Sequence, residues 1–252
     1  MITRNYGWIN SLPDHRDAAF RYRASKDTLN NLPPLVDLRP LDIPICDQQA
    51  TSACTGMGWA GIVGFECKKQ GIDLIPSPLF IYWNERDIEN STNTDGGASP
   101  RDGAKAISSI GVCPESEWVF NEDNVLVKPP DNCFKDALLH LAIQYNSIKQ
   151  DINQLKSCLA EGYPFAVGIT VYDGLESDES AKTGIVNLPT AKENNLGGHF
   201  VVCVGYDDSK QVWIMRNSWG TGWGISGYFT LPYSYLTNPD LADDFWKVTL
   251  MK

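Results

Sequence analysis

The sequence predicts an α+β protein of two segregated lobes, one helical and one built from antiparallel strands. Three observations predict it. Helical spacing of apolar residues dominates the first half, over residues 47–70, 77–89 and 101–110. Short β-type runs dominate the second half, at 165–171, 200–206, 212–216 and 227–231. The 252 residues suffice for one domain with a full core or for two closely associated lobes. Helices first and strands afterwards is the α+β order.

Residues 1–34 read as an N-terminal extension and residues 35–252 as the folded domain. The extension is polar and lacks sustained periodicity. Tyr6, Trp8 and Phe20 are its aromatic anchors. They suit either a segment crossing a cleft, held there by a turn at Pro13, or one stapled to the rear of a lobe. His15 sits in a turn-type Pro-Asp-His-Arg-Asp sequence, where it caps rather than catalyses.

The stretch DQQATSACTGMGWAGIVGFECKKQ (47–70) organises the chain. Met57, Trp59, Ala60, Ile62, Val63 and Phe65 leave almost no polar face, as in a helix buried on most sides. Gly58, Gly61 and Gly64 each cost ~1 kcal/mol relative to Ala, so their register predicts close approach of another backbone. Cys54 falls in the first turn, where unpaired N–H groups and the positive end of the dipole favour a thiolate. A second helix, 77–89, starts with Ser77 as N-cap and Pro78 at its first position. A Gly-Gly loop (92–100), a third helix (101–110) and a Pro- and Asn-rich connector (113–135) follow. His140, among leucines, reads as a core or boundary residue. A helical stretch at 151–161 precedes the strands.

The net charge of −10 argues against a nucleic acid or an anionic membrane as partner, since both need clustered Lys and Arg. The acidic runs 85–89 and 173–179 read as solvated surface. No apolar stretch resembles a signal peptide or a membrane span, which favours a cytoplasmic location. The seven cysteines form neither a C-x-x-C pair nor a zinc pattern, and read as reduced and buried.

A lone cysteine at a helix start is usually a small buried hydrophobe. Two later segments change that reading. NLGGHFVVCVGYD places His199 at the mouth of an apolar strand, 145 residues after Cys54, and RNSWGTGWGISGY places Asn217 one hairpin later.

With VDLR at the domain start and Gln48 six residues before the cysteine, these blocks resemble the papain-like cysteine proteases, in chain order, over residues 32–252. The resemblance implies a papain-like two-lobe fold with the active-site cleft between the lobes. It implies Cys54 as nucleophile, His199 as base and later acid, Asn217 orienting the imidazole, and Gln48 donating to the oxyanion. It also implies substrate contacts from Gly96, Gly97, Ala98 and Gly198, with Trp219 shielding the His–Asn bond. Phe200 stands where the family lines its S2 pocket, which implies small P2 side chains and no charged ones.

Some positions depart from the pattern. Thr51 and Thr55 replace the family's usual cysteine and tryptophan, and 92–95 lack the matching disulfide partner. The extension lacks the spaced motif of long helical propeptides and looks like the short leaders of signal-less relatives in bacteria and large viruses.

The expected function is therefore a cysteine endopeptidase acting on protein or peptide substrates as a monomer, with no metal or organic cofactor. An acyl transferase using the same thioester, and a non-enzymatic binding module on the same fold, are the alternatives.

Overall fold

The computed structural model describes residues 4–12, 14 and 21–252. The expectations at Pro13, His15 and Phe20 lie outside the described residues.

Residues of the extension are bonded to the body rather than loose. Tyr22 N–H donates to the Ser147 carbonyl at 2.7 Å, and a short helix, α1 (Lys26–Asn30), is capped by the Ser25 hydroxyl. Strand β1 (Leu35–Asp37) then opens the domain. The central helix, α2 (Cys54–Lys69), is buried over all but its last two residues. α3 (Pro78–Ile88) begins at a Ser77 cap that accepts from Phe80 N–H, and α4 (Pro100–Ser109) completes the helical side.

The glycine face of α2 is met by side chains, not by a backbone. A Cβ at Gly58 would press on the Phe200 ring, at Gly61 on Arg216 and Val202, and at Gly64 on Ile43. Gly56, two residues before Gly58, is the position that lies under a backbone carbonyl, that of Pro78. The room at Gly61 admits a buried ion pair: Arg216 meets Asp42 at 3.0 Å and donates to the carbonyls of Ile43 and Pro44.

The run 85–89 is not all solvated surface, because Glu85 and Arg86 are both fully buried. The Arg86 guanidinium stacks 4.0 Å over the Tyr82 ring and donates to the carbonyls of Thr94 and Val125. Glu85 accepts from the Thr55 hydroxyl at 2.6 Å. The carbonyl acceptors around Arg86 and the Thr55 donor at Glu85, invisible in local composition, make both burials tolerable.

The connector at 113–135 ends in a helix, α5 (Asp131–Ala137), and His140 beyond it is half-buried. β2 (Ala142–Ser147), α6 (Ile152–Ala160) and β3 (Phe165–Tyr172) follow. After α7 (Asp178–Thr183) come β4 (Asn195–Asp207), β5 (Val212–Arg216), β6 (Tyr228–Pro232), α8 (Tyr233–Leu236) and β7 (Ala242–Met251). The strands form one antiparallel sheet of order β2-β7-β3-β4-β5-β6, with β1 on the outer end of β4.

β7 is not anticipated from sequence because Asp243, Asp244 and Lys247 interrupt its apolar pattern. Lys247 is nevertheless buried, 3.8 Å over the Tyr22 ring and 4.4 Å from that of Tyr163. One sheet face carries the strand-lobe core around Phe165, Trp213 and Phe229. The other packs on α2, where Trp59, Ile62 and Val63 meet Phe200, Val202, Trp246 and Val248. This seam fixes the start of α2 against β4, and so Cys54 against His199.

Candidate active site

Cys54 is the first residue of α2, and its N-cap, Ala53, has no side chain to satisfy the free N–H groups of the first turn. The backbone N–H groups of Phe200, Gly7 and Thr55 approach the thiol sulfur. Burial is complete and pushes the thiol up to about 12, against those donors, which favour the thiolate. In this arrangement Cys54 is therefore a neutral thiol, not the thiolate that its helix position alone suggests.

His199 lies on β4 and is fully buried. Its Nε2 is 2.8 Å from Asn217 Oδ1, while Nδ1 has no partner. The Asn217 carbonyl oxygen accepts, so Nε2 carries a proton. Trp219 stacks on the imidazole at 4.9 Å and 19°, shielding it from water. Burial lowers the imidazole to about 4; the bond to Asn217 opposes this and the Arg4 charge adds to it.

Gln48 is buried beside them. Its Nε2 donates to Thr51 O at 2.9 Å and to Asn5 O at 3.3 Å, and its Oε1 accepts from Ser218 Oγ at 2.7 Å. Ser218 therefore fixes which end of the Gln48 amide is the donor. Sequence reasoning quoted Ser218 within its block and gave it no role. Among the described residues no group of three or more His, Cys, Asp or Glu is placed to hold a metal ion.

The chain's own residues 4–12 run through this cleft. Trp8 N–H donates to the Gly198 carbonyl at 2.9 Å, Ala98 N–H to Gly7 O at 2.8 Å, and Ile9 N–H to Ala98 O at 3.1 Å. Trp8 and Ala98 thus pair in parallel like neighbouring strands. Gly97, at φ 89°, leaves room for the Gly7 carbonyl that a Cβ would overlap, and its N–H goes to the Tyr82 hydroxyl at 3.0 Å. A Cβ at Gly96 would meet only the Thr94 hydroxyl and not the segment. Upstream, Tyr6 meets His199 edge-on at 6.2 Å and bonds Glu176 through its hydroxyl. Arg4 lies 4.3 Å over the Trp219 ring and pairs with the same Glu176 at 3.3 Å.

The Phe200 backbone borders the cysteine, but its ring turns inward against Gly58 and Trp59. The loop at 92–95 holds a residue that sequence reasoning passed over. Asp95 accepts from Ser52 N–H and from the Tyr82 hydroxyl, beside the nucleophile. Its position directly before Gly96-Gly97 was the available signal.

The comparisons with known proteins bear on this geometry. The family model described as papain family cysteine protease matches residues 86–242, a span that holds His199 and Asn217 and begins beyond Cys54. An uncharacterised peptidase C1-like protein of Acanthamoeba polyphaga mimivirus is 36% identical, over 97% of this chain and 86% of its own. The crystal structure of xylellain, a cysteine protease from Xylella fastidiosa, superposes with a TM-score of 0.94 at 40% identity, covering 99% of this chain and 97% of that one. A cathepsin B-like protein of Giardia intestinalis is 26% identical over 82% of this chain and 70% of its own.

Fold and comparisons together define a thiol-dependent hydrolase of peptide bonds. The chain belongs to the papain family of cysteine proteases, and its activity is that of a cysteine endopeptidase acting on proteins or peptides. All seven cysteines are free thiols, and among the described residues no helix is long and apolar enough to cross a membrane.

Proposed function

We propose that Cys54 is the nucleophile of this peptidase, with His199, Asn217 and Gln48 as its partners, and that residues 4–12 hold it in a resting form. The observation that carries the reading is the 2.8 Å bond between His199 Nε2 and Asn217 Oδ1. It commits one ring nitrogen and leaves Nδ1 to exchange a proton with the cysteine and the substrate.

In the uncovered cleft, His199 Nδ1 takes the thiol proton. The sulfur attacks the scissile carbonyl carbon, and the oxyanion is met by Gln48 Nε2 and the Cys54 N–H. His199 then gives its proton to the leaving amine as the C–N bond breaks, which leaves a thioester on Cys54. Water, deprotonated by Nδ1, attacks the thioester. The acid leaves and the thiol is restored.

In the covered chain residues 4–12 reach the Gln48 donor, the sulfur and the imidazole. The Gln48 donor is on Asn5 O, and what the segment presents to the sulfur is the Gly7 N–H. The Arg4 charge opposes an imidazolium. The substrate-facing backbone would be that of Ala98 and Gly198, which the segment already pairs, with Gly97 giving it room and Trp219 roofing the imidazole. We take Leu35, the start of β1, as the beginning of the peptidase domain. The cleft is complete within one copy, which supports a monomer, and seven free thiols support a reducing, cytoplasmic-type location.

The test is mass spectrometry after treatment with a peptidyl epoxide. An adduct on Cys54 supports the assignment, and preferential modification of another cysteine refutes it.

A further inference from the structure

Two stretches of chain meet beside the reacting pair with little regular structure to hold them. Residues 42–46 belong to no helix or strand and lead to Gln48, while residues 216–220 leave the end of β5 and carry Asn217, Ser218 and Trp219. They run antiparallel through two backbone bonds that flank the pair Asp47 and Trp219. Gly220 N–H donates to Cys46 O at 3.0 Å, and Gln48 N–H to Ser218 O at 2.8 Å.

The Arg216 side chain closes this junction at its other end. Its guanidinium donates to the carbonyls of Ile43 and Pro44 at 2.7 and 2.6 Å and meets the Asp42 carboxylate at 3.0 Å. Acceptors on three consecutive residues fill a rigid planar fork, a geometry that a lysine does not offer. Asp42 is fixed in turn by the Tyr228 hydroxyl at 2.7 Å and by the Ile43 N–H at 2.8 Å. Both charged side chains are buried, and the fork crosses α2 at Gly61, where a Cβ would come within 3.3 Å of Arg216 Nε.

A buried ion pair is a weak stabilising device, since apolar groups of similar volume commonly serve as well. It does fix geometry, and the geometry fixed here is that of the site. Asn217 directly follows Arg216, and its Oδ1 accepts from His199 Nε2 at 2.8 Å and from Ser218 N–H at 2.9 Å. Ser218 Oγ holds Gln48 Oε1 at 2.7 Å. A slip of 216–218 against 42–48 would withdraw the support of the imidazole and turn the oxyanion donor together.

We propose that Arg216 and Asp42 are positioning residues of the peptidase. The pair keeps the turn that carries Asn217 in register with Gln48, and acts on the reaction only through those two side chains. The proposal rests on the roles given above to Gln48 and Asn217.

The test uses the full chain with Trp8→Ala, which loosens the covering segment where the indole lies on Gly168 and Gly198. Sites are titrated with a peptidyl epoxide, and turnover of one fluorogenic peptide is expressed per titrated site. The double variant Asp42→Asn/Arg216→Met buries no charge, and its new amide oxygen still accepts from the Tyr228 hydroxyl. Its urea midpoint stays close to that of the parent. Its kcat nevertheless falls about 10²-fold, the scale of a misplacement of about 1 Å. KM holds, because the backbone of Ala98 and Gly198 lies on other elements, so kcat and kcat/KM fall together. Arg216→Lys, which keeps the charge and loses the fork, shows a smaller loss of the same kind.

A pair with a structural role alone would reduce the number of titratable sites and leave the turnover of each unchanged. That result overturns the proposal, as does an unchanged kcat in both variants. Asn217→Ala and Gln48→Ala in the same background separate the two levels of the argument. If neither slows turnover, the reading of the site fails and the proposal with it. If both slow it while the Arg216 variants do not, the positioning role alone is overturned.

Discussion

Ser52 and Asp95 tie the loop before the nucleophile to the loop before the glycine pair. Ser52 N–H donates to both carboxylate oxygens of Asp95, at 3.0 and 3.1 Å, and Ser52 Oγ donates to the Asp95 carbonyl at 2.9 Å. The Tyr82 hydroxyl adds a bond to the same carboxylate at 2.7 Å and orients Gly97. The resemblance to papain-like proteases leads one to look for a disulfide between these loops, and Thr51 rules it out. A polar staple stands in its place and is independent of redox conditions. Asp95→Ala should lower stability by about 2 kcal/mol, the scale of bonds to a charged, half-buried acceptor. Urea denaturation measures it, and an unchanged midpoint would remove the staple from the account.

The proposed roles predict a graded series. Cys54→Ala should abolish peptide hydrolysis with the fold intact, and His199→Ala should be nearly as severe. Asn217→Ala should be milder, because it loosens the imidazole without removing a reacting group. Gln48→Ala should lower kcat by roughly 10²–10³, the scale of one oxyanion donor. Ser218→Ala should produce a fraction of that loss, since it frees the Gln48 amide to turn. Rates on one fluorogenic peptide, with circular dichroism to check folding, decide the series. Substantial turnover by clean Cys54→Ala protein would sink the nucleophile assignment.

The placement of these residues was legible for physical reasons. Periodicity reports burial, and α2, α3 and β3 to β6 bury regular faces. Cys54 opens α2 and Asn217 directly follows β5, while His199 lies within β4 and Gln48 in the loop before α2, so order along the chain matters as much as composition. What escaped were residues whose environment comes from distant parts of the chain. Arg86 and Lys247 look like surface charges until Tyr82 and Tyr22 are laid beneath them. Asp244 looks like a strand breaker until the bulge opposite Gly168 turns it inward. Phe200 occupies the expected backbone position, but the gap at Gly58 draws its ring into the core, so its size does not set the pocket. No local pattern encodes a gap left by another element.

Glu85 makes stability depend on pH. It is fully buried, Oε2 accepts from Thr55, and Oε1 has no partner although Trp59 Nε1 lies unpaired nearby, both facing Gly103. Burial raises its carboxyl well above the ordinary 4.5. The folded state therefore holds a proton that the unfolded chain has released. Stability from this group is full below about 4.5 and is lost as pH rises toward the folded value. Glu85→Gln should flatten that loss. Denaturation midpoints at pH 4.5 and 7.5 should converge in the variant, and an undiminished gap would assign the dependence to other carboxyls.

The last prediction concerns what uncovering the cleft does to the reacting pair. With residues 4–12 in place, burial holds Cys54 at about 12 and His199 at about 4. Both groups are then neutral at every pH between those values. Only the thiolate alkylates, and its fraction falls about tenfold for each pH unit below the thiol's pKa. Iodoacetamide labelling of the full chain should accordingly climb about tenfold per unit from pH 6 to 9. Deleting residues 1–12 removes the Gly7 backbone, the Tyr6 ring and the Arg4 charge together, and admits water to both groups. The imidazolium then becomes accessible, and beside it the thiolate persists to lower pH. Labelling of the truncated chain should be faster throughout and nearly level across the same range. Burial of the Trp8 side chain contributes ~1.5–3 kcal/mol, so some stability is lost, but α1 and the Tyr22–Ser147 bond still fasten the rest of the extension. Parallel pH profiles for the two proteins, whatever their absolute rates, would mean that the segment blocks access without altering protonation. Superimposable profiles at equal rates would mean that it does neither.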